Sequence, residues 1–299
     1  MALDRQSAAE LERELADESP RVSDPGADVE DVRRSMIADA RAQERPAVAY
    51  VEDVDADDVP CRLYRPVPGA PLLLYAHGGG WATGNVDTYD RYTREIAVRT
   101  GWAVLSVDYR LAPEHPYPAP LDDVQTALRW ARDSIAAYDV DASVVVGAGD
   151  SAGANLIAAL SLREPGAFAY QALAYPPLDP SADNESYAKE DIPLLPAADM
   201  RWYWDAYAPT KQARTNPEVA PAYASDLSEM PPTLLITAEH DILRDECETF
   251  GVRLAAAGVP VAAQRILGVG HGFWRRPWDF DAAVTTLDQL AGILARLRP

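Results

Sequence analysis

The 299-residue sequence predicts an α/β fold: a mostly parallel central sheet with helices on both faces and a helical cap. Two observations predict it. From Pro71 onward, short and uniformly apolar runs alternate with amphipathic helical patterns, as expected where strands are buried on both faces of a parallel sheet. Residues 181–225 then break the rhythm with a polar, Pro-punctuated stretch around Met200-Arg201-Trp202-Tyr203-Trp204. Inserted between two strands near their carboxyl ends, such a segment is placed to form a lid. With 48% hydrophobic residues, the chain reads as a single domain over 1–299, capped by residues 1–45 and 181–225.

The elements follow in order. After the turn-like residues 23–28, a helical pattern runs from Asp28 to Glu44 through Val29, Val32, Ile37 and Ala40, so residues 1–45 read as helices ahead of the main body. Residues 47–54 and 59–66 read as two strands joined through the polar run 55–58 as a hairpin. The alternation begins with a strand at 72–77, a helix at 89–100, a strand at 102–109 and a helix at 121–134. It continues with a strand at 143–149, a helix from Ala152 to Ser161 and strands at 170–176 and 232–240. A helix from Asp245 to Ala257, a strand at 261–267 and a helix from Phe280 to Arg298 complete it. No internal repeat is visible.

Charge and composition narrow the partners. The chain has 47 acidic and 27 basic residues, a net charge of −20, which repels nucleic acid and anionic membranes and disfavours polyanionic substrates. The first 20 residues carry charges throughout, and no later run approaches the ~18 apolar residues of a membrane span. Two cysteines, Cys61 and Cys247, indicate neither a disulfide framework nor a thiolate metal site. A soluble, cytoplasmic protein without a metal is expected.

The chemistry centres on Gly149-Asp150-Ser151-Ala152-Gly153, where an apolar strand turns into a helix. The turn crowds the backbone around Ser151, so the positions two before and two after must be small. A serine hydroxyl needs a base. Of His77, His115, His240 and His271, the last lies in a glycine-flanked loop beyond the final strand, at the same sheet edge as Ser151. The base in turn needs a carboxylate to hold its tautomer. Asp241, just off the end of the strand at 232–240, is the choice, with Glu239 in reserve, while Asp245 and Glu246 suit the first turn of a helix. Ser151, Asp241, His271 is the chain order of α/β-hydrolases. His77-Gly78-Gly79-Gly80-Trp81 ends the strand at 72–77 and offers inward-pointing amides for an oxyanion; Gly78 and Gly79 are assigned, with Ala152 behind the serine. No Lys-Ser/Thr follows the glycines, which argues against a phosphate loop.

These residues, with 109–123 (YRLAPEHPYPAPLDD), 149–156 (GDSAGANL), 175–181 (YPPLDPS), 241–246 (DILRDE) and 270–273 (GHGF), make the chain resemble the bacterial hormone-sensitive-lipase-like esterases, family IV of the α/β-hydrolases, in the branch with a GDSAG elbow. The resemblance implies the α/β-hydrolase fold and a serine carboxylesterase acting on short- to medium-chain esters without a cofactor. It places the nucleophile on Ser151, the acid on Asp241, the base on His271 and the oxyanion donors on Gly78, Gly79 and Ala152. His77 would brace the oxyanion loop. The small-molecule ester is the expected partner, and a homodimer is frequent in similar proteins. Ala154 stands where the family often has a further glycine, which implies altered packing without loss of chemistry.

Two readings concern the surroundings of the site. Arg110 and Glu114 are placed to pair within a proline-pinned loop. Trp81, Trp202 and Trp274 are candidates to line the substrate pocket, together with Tyr203, Trp204 and Tyr207, although neighbouring rings on one helix cannot all face the same side. The same catalytic residues would serve a dedicated deacetylase or lactone hydrolase of a natural product. A non-catalytic ligand-binding protein of this fold would lack the histidine, whereas His271 is present.

Overall fold

The computed structural model describes residues 2–17, 19–190 and 192–298. Eight strands form one sheet: β1 (Tyr50–Asp55), β2 (Pro60–Arg65), β3 (Ala70–Ala76), β4 (Ala103–Val107), β5 (Val140–Asp150), β6 (Tyr170–Ala174), β7 (Thr233–His240) and β8 (Val261–Gly270), in the spatial order β1-β2-β4-β3-β5-β6-β7-β8. Strand β2 is antiparallel to both neighbours, and every other adjacent pair is parallel. The expected hairpin is β1–β2. Its two-residue turn sets Asp57 and Asp58 at φ 55° and 69°, the left-handed conformation that aspartate tolerates and that matches strand twist.

Period-two alternation assigns the core. Leu72, Leu74 and Ala76 of β3 point into one apolar cluster, shared with helices α4 (Ala119–Ser134), α5 (Ala152–Arg163) and α9 (Arg244–Ala256) through Leu128, Leu156 and Phe250. Leu73 and Tyr75 point into the other, shared with α3 (Asp90–Thr100) and α10 (Asp281–Leu294) through Ile96, Leu287 and Leu290. Each fully buried Leu contributes about 1.5–3 kcal/mol relative to an exposed one. At the end of the sheet the covering stops: Ala262, Ala263, Arg265 and Leu267 of β8 are exposed. Helix α10 ends at Leu294, short of the expected Arg298, because the chain turns there and brings Arg298 Nη2 to the Thr100 carbonyl at 2.9 Å.

Helices α1 (Arg5–Ala16) and α2 (Val29–Arg41) precede the sheet; α6 (Glu185–Lys189), α7 (Ala197–Tyr207) and α8 (Lys211–Arg214) lie between β6 and β7. Asp4 and Asp28 cap α1 and α2 by accepting from Ser7 N–H at 2.7 Å and Glu30 N–H at 3.0 Å. The two segments meet at Asp199 of α7, which accepts from Ser23 N–H at 3.3 Å and Arg21 Nη1 at 3.4 Å. Arg33 of α2 bonds the Ala82 and Ala112 carbonyls and Glu114, each at 2.8 Å. The expected Arg110–Glu114 pair is therefore not made. Arg110 instead holds Asp123 on α4, Nη2 to Oδ1 at 2.6 Å, a partner that only helix packing supplies. Among the described residues, no helix is long and apolar enough to cross a membrane.

Candidate active site

Strand β5 ends at Asp150 and α5 starts at Ala152, leaving a single residue for the reversal. Ser151 therefore sits at φ 49°, ψ −124°, a conformation that costs on the order of 1–3 kcal/mol for a residue with a Cβ. The crowding expected from the motif is measurable. A Cβ on Gly149 would lie 2.6 Å from the Gly153 carbonyl carbon, and one on Gly153 would lie 2.0 Å from the Ala76 oxygen. Ser151 N–H bonds the Ala174 carbonyl at 2.9 Å, tying the elbow to β6. The hydroxyl is held at the positive end of α5.

Three strand ends bring the polar groups together. His271, on the loop after β8, has Nε2 3.0 Å from Ser151 Oγ and Nδ1 2.8 Å from Asp241 Oδ2. Asp241, one residue beyond β7, is buried, and its other oxygen accepts from Leu243 N–H at 2.9 Å. With Nδ1 donating to the carboxylate, Nε2 carries the lone pair that accepts from the serine. The reserve acid Glu239 turns elsewhere and accepts from Gly268 N–H at 2.7 Å. His240 pairs with Glu190 at 2.9 Å, and His115 is exposed. The Tyr175 ring lies 4.5 Å from the imidazole and limits its tilt, a contact with no signal in the local sequence.

The glycine loop corrects one assignment. Gly78 N–H donates to Asp150 Oδ1 and to the Tyr89 hydroxyl, both at 3.0 Å, so it has no hydrogen left for an oxyanion. Asp150 also accepts from Tyr75 at 2.6 Å and Tyr89 at 2.9 Å. This buried carboxylate ties the glycine loop to the serine elbow. Gly79 and Gly80, at φ 115° and 58°, line the cavity beside Ser151. Their amides and that of Ala152 donate to no protein atom among the described residues. His77 stacks on Tyr109 at 4.2 Å and donates from Nδ1 to the Gly78 carbonyl at 2.8 Å. Burial pushes its pKa down to about 4, which keeps the brace neutral.

The cavity at Ser151 has a volume of about 160 Å³. None of the three tryptophan candidates lines it. Trp81 is fully buried, stacked on Tyr207 at 4.3 Å and 5° and against Trp204 at 4.6 Å. Trp274 packs edge-on to Tyr92 at 5.7 Å beneath the sheet end, and Trp202 stands beside Tyr203 at 5.6 Å on α7. Of the other candidate rings, Tyr203 does line the cavity, together with Met36, Leu194 and Leu195. Arg275, Arg276 and Glu14 add charge to it. The Tyr203 ring presses so closely on the glycine loop that a Cβ on Gly80 would lie 2.1 Å from Cδ1.

A buried Ser–His–Asp relay on the strand ends of a doubly covered sheet, next to a glycine loop with unspent amides, defines a hydrolase of the acyl-transfer type. A family model described as the alpha/beta hydrolase fold matches residues 73–275, and the chain belongs to this family, in its hormone-sensitive-lipase-like branch. It is 39% identical over 228 residues to carboxylesterase NlhH of Mycobacterium tuberculosis, covering 72% of this chain and 71% of that one. To the ethyl acetate hydrolase of Pseudomonas putida it is 34% identical over 232 residues, covering 74% and 73%. Among solved structures, a hyperthermophilic esterase from the archaeon Pyrobaculum calidifontis superposes with a TM-score of 0.92 at 34% identity, covering 99% of each chain.

Proposed function

We propose that the protein hydrolyses small carboxylic esters through an acyl-enzyme on Ser151. It is a carboxylic ester hydrolase; the proposal concerns which groups act and on what size of substrate. The observation that carries it is the unbroken relay from Ser151 Oγ to His271 at 3.0 Å and from His271 to Asp241 at 2.8 Å.

His271 Nε2 takes the serine proton as Oγ attacks the ester carbonyl, and Asp241 stabilises the imidazolium that forms. The amides of Gly79, Gly80 and Ala152 receive the tetrahedral oxyanion, the strongest preorganised electrostatics in the site. His271 then protonates the departing alkoxide. Water, deprotonated by the same imidazole, attacks the acyl-enzyme and releases the acid and the free serine. Residues 1–45 and 181–225 act as the cap, since Met36, Leu194, Leu195 and Tyr203 from these segments close the cavity over the serine. The small volume, about 160 Å³, favours short acyl groups and makes medium chains depend on movement of the cap.

The test is hydrolysis of p-nitrophenyl acetate, butyrate, octanoate and palmitate by the wild type and by Ser151→Ala, with folding followed by circular dichroism. Activity on the shorter esters is expected, together with its loss by a factor of at least about 10³ in the folded variant. A folded wild type inactive on all four would overturn the short-ester reading and leave a narrow deacetylase or lactone hydrolase.

A further inference from the structure

Arg275 closes the one-turn helix Phe273–Arg275 that follows the catalytic histidine. Phe273 and Trp274 are driven into the core, fully buried, and their anchoring leaves Arg275 over the catalytic cavity, which it lines with Ser151, His271 and Gly272. Its Nε lies 3.9 Å from where a Cβ on Gly272 would stand.

Among the described residues the Arg275 guanidinium makes no ion pair and no hydrogen bond, while the adjacent Arg276 pairs with Glu10. Arg275 lies over the Tyr89 ring, its Cζ 5.8 Å from the centroid. Asp150 and Glu10 attract it at longer range, but the Asp150 oxygens already accept from Tyr75, Tyr89 and Gly78, and Glu10 is paired with Arg276. Glu14, on the same wall, is paired with Arg21 at 3.0 Å. A cation held in a half-closed cavity with its donors unspent is costly unless an anion completes it, and guanidinium donors match the two oxygens of a carboxylate.

We propose that Arg275 is a specificity residue that recognises a carboxylate on the substrate, so that the preferred substrates are short esters carrying a free acid group. The inference rests on the ester-hydrolase reading of the same cavity. The long-range charge of −20 opposes such a substrate, so its kcat/KM rises with added salt at low ionic strength, until screening reaches the local pair.

The experiment compares monomethyl glutarate with its uncharged isostere methyl 5-methylhexanoate, and 3-acetoxypropanoate with 3-methylbutyl acetate, by pH-stat titration. These pairs place the acid on the acyl limb and on the alcohol limb. The wild type is expected to favour at least one anionic ester over its isostere by about tenfold or more in kcat/KM. Arg275→Gln should raise KM for that ester about tenfold while changing the neutral ester less than about threefold, and Arg275→Lys should restore part of the loss. Equal losses on charged and neutral esters would overturn the proposal and make Arg275 a counter-charge for Asp150. The absence of any wild-type preference would overturn it too, whether or not the variants fold, and would leave ester hydrolysis standing. No hydrolysis of any of the four, with p-nitrophenyl acetate also untouched, would instead bring down the reading beneath it.

Discussion

The floor and the wall of the catalytic cavity are built on opposite principles. The floor, Ser151, Asp241 and His271, stands on the ends of β5, β7 and β8, where flanking strands on a packed sheet fix each backbone. The wall, Met36, Leu194, Leu195 and Tyr203, comes from segments that precede the sheet or interrupt it, placed by packing and polar contacts between separate elements, such as Asp199 with Ser23 and Arg33 with the Ala112 carbonyl. Substitutions in the floor should therefore change rate without changing preference, and those in the wall should do the reverse.

The largest expected effect tests the floor. Asp241→Asn keeps the shape but offers an amide N–H toward Nδ1, which favours the tautomer with its proton on Nε2. That tautomer cannot accept from Ser151, and kcat should fall by about 10⁴-fold with the ratio between acetate and octanoate unchanged. Steady-state kinetics on both esters decides it; a loss below about tenfold would mean that the carboxylate seen at 2.8 Å does not orient the base in solution.

The same contrast explains what the sequence disclosed. The elbow was legible because Gly149 and Gly153 answer a purely local demand, backbone approaching backbone at the distances measured. Asp241 and His271 were legible because residues just beyond strand ends in a parallel sheet gather at one edge. The spent amide of Gly78 was not, since its acceptors are Tyr89 and an Asp150 that lies 72 residues away in the chain; this leaves the amides of Gly79 and Gly80 as the unspent donors of the loop among the described residues. The three tryptophans failed for a related reason. Trp81 follows the glycine loop directly, but Tyr207 and Trp204 of α7 cover it, and nothing at positions 77–81 reports on a helix more than 100 residues later. Arg110 and Glu114 found Asp123 and Arg33 for the same reason, through packing of separate elements.

Trp81→Ala gives the next effect, and it falls on stability. Removing a fully buried indole should cost about 3–5 kcal/mol, read as a lower midpoint in urea unfolding, while the profile across acyl chain lengths stays that of the wild type. A shifted profile in a variant of unchanged stability would put Trp81 back on the cavity wall.

Tyr203→Ala should have the smallest and most selective effect. The ring is half-buried, borders the cavity and lies against Gly80, so its removal opens space above the oxyanion loop without exposing a core. Each methylene that the enlarged cavity accommodates contributes about 0.8 kcal/mol, so octanoate should gain on acetate by about ten- to a hundredfold in kcat/KM. Because the wall holds no proton-transfer group of the relay, kcat on acetate should change less than about fivefold. An unchanged ratio between the two esters would mean that the substrate's acyl limb leaves the serine by another route, and that the division between a floor that sets rate and a wall that sets preference does not run through α7.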